Sequence, residues 1–129
     1  MMSDAAAKYH ALFMTNAALA AAMEDRFPNH RGWTCVVRFY AALHLMNAYL
    51  IEKQNIRFTP ESTEHKDRTY AMAKCPELRD APKTYRYLKD LSESVRYDVN
   101  YGYADEDRTD SIAWLNKIVA IVEPKLKRA

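Results

Sequence analysis

The sequence predicts an all-α protein, an antiparallel up-and-down bundle of four long helices with a fifth, short helix that caps or crosses it. The chain of 129 residues contains only two glycines and five prolines, a composition that suits helices joined by short loops. Apolar residues recur every three or four positions in several long stretches, and no stretch shows a convincing strand pattern. At this length a single domain, residues 1–129, can bury a sufficient core without disulfides or metal.

The first two helices are predicted on either side of a proline. The first runs over about residues 3–26, with Ser3 or Asp4 as its N-cap, and Pro28 ends it. The second covers about residues 32–54 and is strongly apolar. The face of the first helix that is expected to contact the core consists of Tyr9, Leu12, Phe13, Asn16, Leu19, Met23 and Phe27.

Polar side chains lie within the predicted buried face of the second helix. That face, taken at every third or fourth position, consists of Trp33, Val37, Tyr40, His44, Asn47 and Ile51. A phenol, an imidazole and a carboxamide are therefore expected to face the core. Since each unpaired buried polar group costs roughly 1 to 3 kcal/mol, partners on other helices are expected.

Three further helices complete the predicted bundle. The third is short and begins near Thr59, and the fourth covers about residues 82–100. An exposed loop with an acidic run, residues 101–107, is expected next. The fifth helix covers about residues 110–127, and Pro124 should kink or fray its last turns.

Composition removes several classes of function. The net charge of +2, with 19 basic and 17 acidic residues interspersed, neither indicates nor excludes a nucleic-acid partner. With two glycines in the whole chain, there is no phosphate-binding loop of the Walker or dinucleotide type. No histidine has a glutamate three residues before it, and the cysteines lack Cys or His neighbours at ligand spacing. Neither a metal nor another cofactor is therefore expected.

The two cysteines indicate a reducing compartment. Cys35 and Cys75 lie far apart in a chain that is large enough to fold without a disulfide, which favours free thiols. A nucleophilic pair of Cys35 with His44 is the alternative to a buried thiol that packs as a small hydrophobe. No segment has the pattern of a signal peptide or a membrane span, so we expect a cytoplasmic protein with no membrane partner.

Polar residues from three helices are candidates for one buried network. They are Asn16, Tyr40, His44, Asn47 and Arg96. In one interpretation, hydrogen bonds among them fix the register of the helices. In the other, they border a cleft that binds phosphate or RNA, with arginines as anion clamps and a histidine for proton transfer.

Three segments between Trp33 and Tyr97 carry a family resemblance. They are the run FYAALHLMNAYL over residues 39–50, the run EHKDR over residues 64–68, and the set Tyr87, Leu88, Leu91, Ser92, Arg96 and Tyr97. Together they resemble the small prokaryotic HEPN-domain proteins. The resemblance implies an up-and-down bundle, usually a homodimer, that acts in toxin–antitoxin systems, phage defence or RNA processing. It implies RNA and a cognate nucleotidyltransferase or antitoxin as partners.

The resemblance also implies a catalytic motif. Catalytic members of that family are metal-independent endoribonucleases with an arginine, four to six residues and a histidine in a cleft between two protomers. Arg38 and His44 match this spacing. In that role, His44 would assist proton transfer at the ribose 2′-hydroxyl or the leaving oxygen, and Arg38 would stabilise charge on the phosphate. Six helical steps place the two side chains about 120° apart around the axis, so only a dimer could unite them.

A groove that faces RNA or phosphate is expected beside this motif. Its residues are His65, Arg68, Arg96 and Tyr97. The alternative is a set of salt bridges between the cationic residues and carboxylates, with the candidate partners Asp67, Glu93 and Asp98. Tyr101 and Tyr103 either stack on bases or close the end of the bundle.

Two classes of function are therefore predicted. The first is a HEPN-like RNA-associated protein, whose catalytic form is a metal-independent endoribonuclease. The second is a non-catalytic helical module that dimerises or docks onto a protein partner.

Overall fold

The computed structural model describes residues 2–55 and 64–127, and within these ranges all regular structure is helical. Four long helices and one short helix pack together, which confirms the predicted all-α bundle. The helices are α1 Asp4–Arg26, α2 Arg31–Gln54, α3 Glu64–Ala73, α4 Ala81–Tyr97 and α5 Asp105–Lys127. Short 3-10 turns at Pro28–His30 and Pro76–Leu78 precede α2 and α4.

The ends of α1 and α2 follow from local chemistry. Ser3 is the N-cap of α1, and its side chain accepts a hydrogen bond from the Ala6 amide. The turn that begins at Pro28 separates α1 from α2, as the sequence predicted. Asn55 ends α2 in the left-handed region at φ 53°, and its amide bonds back to the Leu50 carbonyl. The predicted start of the third helix at Thr59 lies outside the described residues.

The acidic run before the fifth helix was wrongly predicted as a loop. Asp105, Glu106 and Asp107 form the first turn of α5, where their charges complement the helix dipole. Asp107 Oδ2 accepts a hydrogen bond of 3.0 Å from the Ala104 amide, which would otherwise be free at the helix start. Pro124 lies inside α5, which continues to its end at Lys127.

The inward face of α1 differs from the predicted one. Leu12 and Leu19 are 44% and 48% exposed, whereas Ala6, Phe13 and Ala20 are buried. The small alanine side chains let the α1 backbone approach α2 closely, so the alanine-containing face packs inward and the leucines remain outside. Apolar periodicity alone does not distinguish these two faces, because α1 is apolar on both.

The centre of the bundle is α2, which packs against α1, α4 and α5. Residues on several sides of α2 are buried, so its buried face is wider than the single stripe of residues that the sequence predicted. Trp33 and Tyr40 from that stripe are exposed at 55% and 36%. The segment Gly32–Gln54 is long and apolar enough to cross a membrane, but most of it is buried in the fold, as in the core helix of a soluble protein.

Candidate functional site

Arg38 and His44, the predicted catalytic pair, face different neighbours of α2. The Arg38 side chain lies among α1 and α5, where Nη2 donates to Glu24 Oε1 at 2.6 Å and Nη1 donates to Ser111 Oγ at 3.0 Å. The His44 ring lies beside the ring of Tyr9, with the ring centroids 6.1 Å apart. The two side chains are therefore not brought together within one protomer, as the helical spacing indicated.

Glu24 is the centre of an ion-pair cluster, here called the Glu24 cluster and consisting of Glu24, Arg38 and Arg108. Its second carboxylate oxygen accepts a hydrogen bond of 2.6 Å from Arg108 Nε. Burial acts to raise the pKa of Glu24, but the hydrogen bonds and charges of Arg108 and Arg38 outweigh it and lower that pKa below its usual value. Two guanidinium groups share this carboxylate, and the charge of Asp105 also acts on Arg108.

The Glu24 cluster was not predicted from the sequence. One signal was present, since Arg38 is a permanent charge in the middle of a strongly apolar run. A buried charge must be paired, and Arg38 is only 4% exposed. The sequence does not identify the partner, because Glu24 and Arg108 become neighbours of Arg38 only when α1 and α5 pack beside α2.

Two ionisable groups beside the cluster are held in their neutral forms. Burial raises the pKa of the Cys35 thiol to about 12, which removes the thiolate that a nucleophilic pair with His44 would require. Burial also raises the pKa of the Tyr103 phenol to about 12. Tyr101 and Tyr103 are both partly buried and pack against the core, which is the bundle-closing arrangement.

A second polar group lies where α2 meets α3. Arg68 is 1% exposed, and its Nε donates to Asn47 Oδ1 at 2.5 Å. Burial, and then the charge of Arg68, lower the pKa of His44, so its imidazole is neutral at pH 7. His44 Nδ1 is buried and has no hydrogen-bond partner among the described residues. Arg68 is thus part of the interior and does not line an open groove.

Arg96 forms an exposed site with aromatic rings. Its Nη1 donates to Tyr40 Oη at 3.0 Å, and its Nε donates to the Ser92 carbonyl at 3.3 Å. The guanidinium carbon lies 4.9 Å from the ring centre of Tyr97, 5.6 Å from that of Tyr40 and 5.8 Å from that of Phe39. Since Tyr40 and Tyr97 are 36% and 73% exposed, these two rings and Arg96 form a solvent-accessible surface, here called the Arg96 surface.

The five residues expected to form one network are therefore divided. Tyr40 and Arg96 bond to each other on the exposed side of α2, whereas Asn47 bonds to Arg68 inside. Asn16 takes no part in either pair, because its amide donates to the Leu12 carbonyl one turn earlier in α1. His44 lies near Arg68 without a described hydrogen bond at Nδ1.

The structure describes the side chains of only some residues in the alternative salt-bridge set. Glu93 pairs with Lys89 at 3.0 Å, and Asp98 accepts the Asn100 amide at 3.0 Å. The side chains of His65 and Asp67 lie outside the described residues, although α3 contains both positions. The cation at Arg96 is thus engaged by Tyr40 and the aromatic rings, while these two carboxylates have other partners.

In the part of the chain that the structure describes, no group of three or more His, Cys, Asp or Glu side chains is arranged to hold a metal ion. The described candidates are therefore the Arg96 surface and the Glu24 cluster. Searches against protein-family models, curated proteins and solved structures find no match to this chain.

Proposed function

We propose that this chain is a HEPN-like RNA-associated protein of the cytoplasm that binds single-stranded RNA through the Arg96 surface. The observation that supports this most strongly is that one arginine, Arg96, lies close to the exposed rings of both Tyr40 and Tyr97. Aromatic rings stack on bases of any sequence, and an arginine supplies charge for the backbone phosphate. The two free, buried cysteines support a reducing compartment.

The exposure of the rings favours stacking over a purely structural role. Tyr97 is at the C-terminal end of α4 and leaves 73% of its surface open, so a base can reach its face. Each stacked base contributes about 1 to 3 kcal/mol. The hydrogen bond from Arg96 to Tyr40 holds the guanidinium beside the rings before RNA arrives, which reduces the ordering cost of binding.

RNA binding is tested by fluorescence anisotropy with a short labelled oligouridine at low salt. Tyr97→Ala and Arg96→Gln should each weaken binding about tenfold, since each removes one part of the surface. Tyr70→Ala is the matched control, because Tyr70 is 66% exposed on α3 and has the Lys74 ammonium 4.1 Å from its ring centre. Equal weakening by all three variants, or no binding by the wild type, would reject the Arg96 surface as the RNA site.

The endoribonuclease function implied by the family resemblance is tested separately. Arg38 is bound to Glu24 and Ser111 and is 4% exposed, so RNA cannot reach its guanidinium unless the ion pair opens. Wild type, His44→Ala and His65→Ala are incubated with total RNA and a chelator. Cleavage that persists in both variants removes these histidines from the mechanism. The absence of cleavage leaves RNA binding as the activity.

A dimerisation or partner-docking module is the second candidate, and the outer face of α1 favours it. Leu12 and Leu19 are two turns apart on one face of α1, and they are 44% and 48% exposed. A second copy of the chain, a nucleotidyltransferase or an antitoxin would each cover this face. Sedimentation equilibrium tests the homodimer: Leu12→Glu with Leu19→Glu should convert it to a monomer. A wild-type monomer would remove the homodimer and leave docking onto another protein.

A further inference from the structure

The outer face of α1 carries side chains that are arranged symmetrically about Thr15. At about 100° per residue, the side chains of this face leave the helix within about 60° of Thr15, whereas the buried Phe13 leaves it about 160° away. All of them are exposed. The face, here called the α1 face, includes Asp4, Ala11, Leu12, Ala18, Leu19 and Arg26 around Thr15.

Each leucine of the α1 face has an alanine at the same distance on the other side of Thr15. Leu19 is matched by Ala11, and Leu12 is matched by Ala18. If two copies of α1 run antiparallel about a two-fold axis at Thr15, residues at equal distances from Thr15 lie at the same height. A leucine of one copy then lies beside an alanine of the other, so a large side chain meets a small one and the two helices can approach closely.

The charges of the α1 face are complementary in the same arrangement. Asp4 and Arg26 are equally far from Thr15, so the carboxylate of one copy lies near the guanidinium of the other at both ends of the contact. Lys8 lies opposite Ala22, where its aliphatic stem covers a small side chain and its ammonium stays in water. In a parallel pair each of these charges would instead meet its own copy, which is repulsive.

We infer that α1 pairs antiparallel with α1 of a second copy of this chain, in a two-fold dimer centred on Thr15. The inference rests on the second candidate function, dimerisation, and it identifies the second copy as the occupant of the exposed leucine face. The complementary charges and the matching of leucine with alanine are properties of α1 with itself, so a second α1 satisfies all of them at once.

This dimer does not supply the shared cleft that the catalytic motif requires. The α1 face lies opposite the side of α1 that packs on α2, so each α1 separates its own α2 from the second copy. Arg38 and His44 are both on α2, and this pairing does not bring them together across the two protomers. Dimerisation through α1 and ribonuclease activity are therefore separable properties.

The pairing is tested by exchanging its charges and measuring the dimer dissociation constant of the full chain by sedimentation equilibrium. Asp4→Arg and Arg26→Asp should each weaken the dimer at least about tenfold, because each creates a like-charge contact at both ends. The double variant should restore dimerisation close to that of the wild type. Asp90→Arg is the matched control, since Asp90 is exposed on α4. Circular dichroism confirms that each variant is folded.

The outcomes of this test distinguish the pairing from dimerisation in general. A dimer that neither single variant weakens, or that the double variant does not restore, would overturn the antiparallel pairing and leave dimerisation through another surface. Equal weakening by Asp90→Arg would also overturn it. A wild-type monomer would overturn both the pairing and the homodimer, and it would leave the RNA-binding proposal to its own anisotropy test.

Cross-linking locates the centre of the contact. Thr15→Cys places two thiols at the two-fold axis, so a short bismaleimide should join them into a covalent dimer. Met14→Cys is the matched control, because Met14 is 55% exposed but leaves the helix about 100° from Thr15, and this variant should remain monomeric on a denaturing gel. The native thiols of Cys35 and Cys75 are buried. Equal yields of covalent dimer from the two variants would contradict a contact centred on Thr15.

Discussion

At the scale of single residues, Arg38 shows how burial decides the role of a charged group. A guanidinium on the surface of α2 could meet a phosphate, but this one is 4% exposed and paired with Glu24. Removing one partner of such a pair leaves an uncompensated charge in a region of low dielectric, which costs more than the pair contributes. The hydrogen bonds of Arg38 therefore join α1, α2 and α5, and they make its side chain part of the framework.

Glu24→Gln should destabilise the protein by roughly 2 to 4 kcal/mol. The substitution keeps the shape of the side chain but removes the carboxylate charge that pairs with both Arg38 and Arg108. Urea denaturation at pH 7 measures the change in the free energy of unfolding. Glu93→Gln is the control, because the Lys89–Glu93 pair is on the surface and its loss should cost no more than about 0.5 kcal/mol. Similar losses in the two variants would contradict a special role for the Glu24 cluster.

The contribution of Glu24 to stability should depend on pH. The folded-state pKa of Glu24 is lowered, so its contribution to stability is fully present above the ordinary carboxyl pKa. That contribution is lost as the pH falls through the lowered pKa, where the folded protein also takes up the proton. The difference in unfolding free energy between wild type and Glu24→Gln should therefore shrink as the pH falls from 7 toward 3. A constant difference would mean that the carboxylate charge is not what stabilises the cluster.

The sequence could not predict which residues of different helices contact each other. Periodicity correctly identified polar groups on α2 that need partners, and Tyr40 does meet Arg96. It did not predict that Asn47 would bond to Arg68, because this requires knowing where α3 lies on the bundle. A helical pattern fixes the angle at which a side chain leaves its own axis, whereas the neighbour at that angle depends on packing.

At the scale of elements, the helices were predicted more successfully than their faces and ends. The caps and prolines placed α1 and α2 to within a few residues, since those signals act through the adjacent backbone. The start of α5 was missed because an acidic run suits both a solvated loop and the first turn of a helix. What distinguishes the two is the hydrogen bond from the Ala104 amide to Asp107, the third residue of the helix.

Asp107→Ala should therefore destabilise the protein by about 1 kcal/mol more than Glu106→Ala. Each substitution removes one negative charge from the first turn of α5, so the effects on the helix dipole are similar. Asp107 accepts the Ala104 amide and also a hydrogen bond from the Tyr101 phenol, so its substitution removes both. Thermal unfolding followed by circular dichroism measures the two variants. Equal loss in both would show that charge alone, without the capping bond, stabilises this turn.

At the scale of the whole molecule, the central position of α2 separates two surfaces with different chemistry. The Arg96 surface lies on the side of α4, and a largely apolar groove that Arg38 lines lies between α1 and α5. The Glu24 cluster belongs to the second side, so substitutions there should leave the aromatic rings of the Arg96 surface in place. Side chains on the two sides of α2 can therefore be substituted separately.

The bundle should not unfold uniformly, and its two thiols can report this. Cys35 is fully buried at the centre, whereas Cys75, 3% exposed, follows α3, which makes far fewer described contacts with its neighbours than α1 makes with α2. Burial raises the pKa of Cys35 to about 12 and that of Cys75 to about 11, so neither thiol should react quickly with a disulfide reagent in the native protein.

Thiol labelling of single-cysteine variants measures this difference. Cys35→Ala leaves Cys75 as the only thiol, and Cys75→Ala leaves Cys35. At low urea, we expect Cys75 to be labelled faster, because local opening of the α3 region exposes it while the core remains folded. Near the unfolding midpoint both rates should converge, since global unfolding then exposes both sites. Equal rates at every urea concentration would instead show that α3 opens only with the whole bundle.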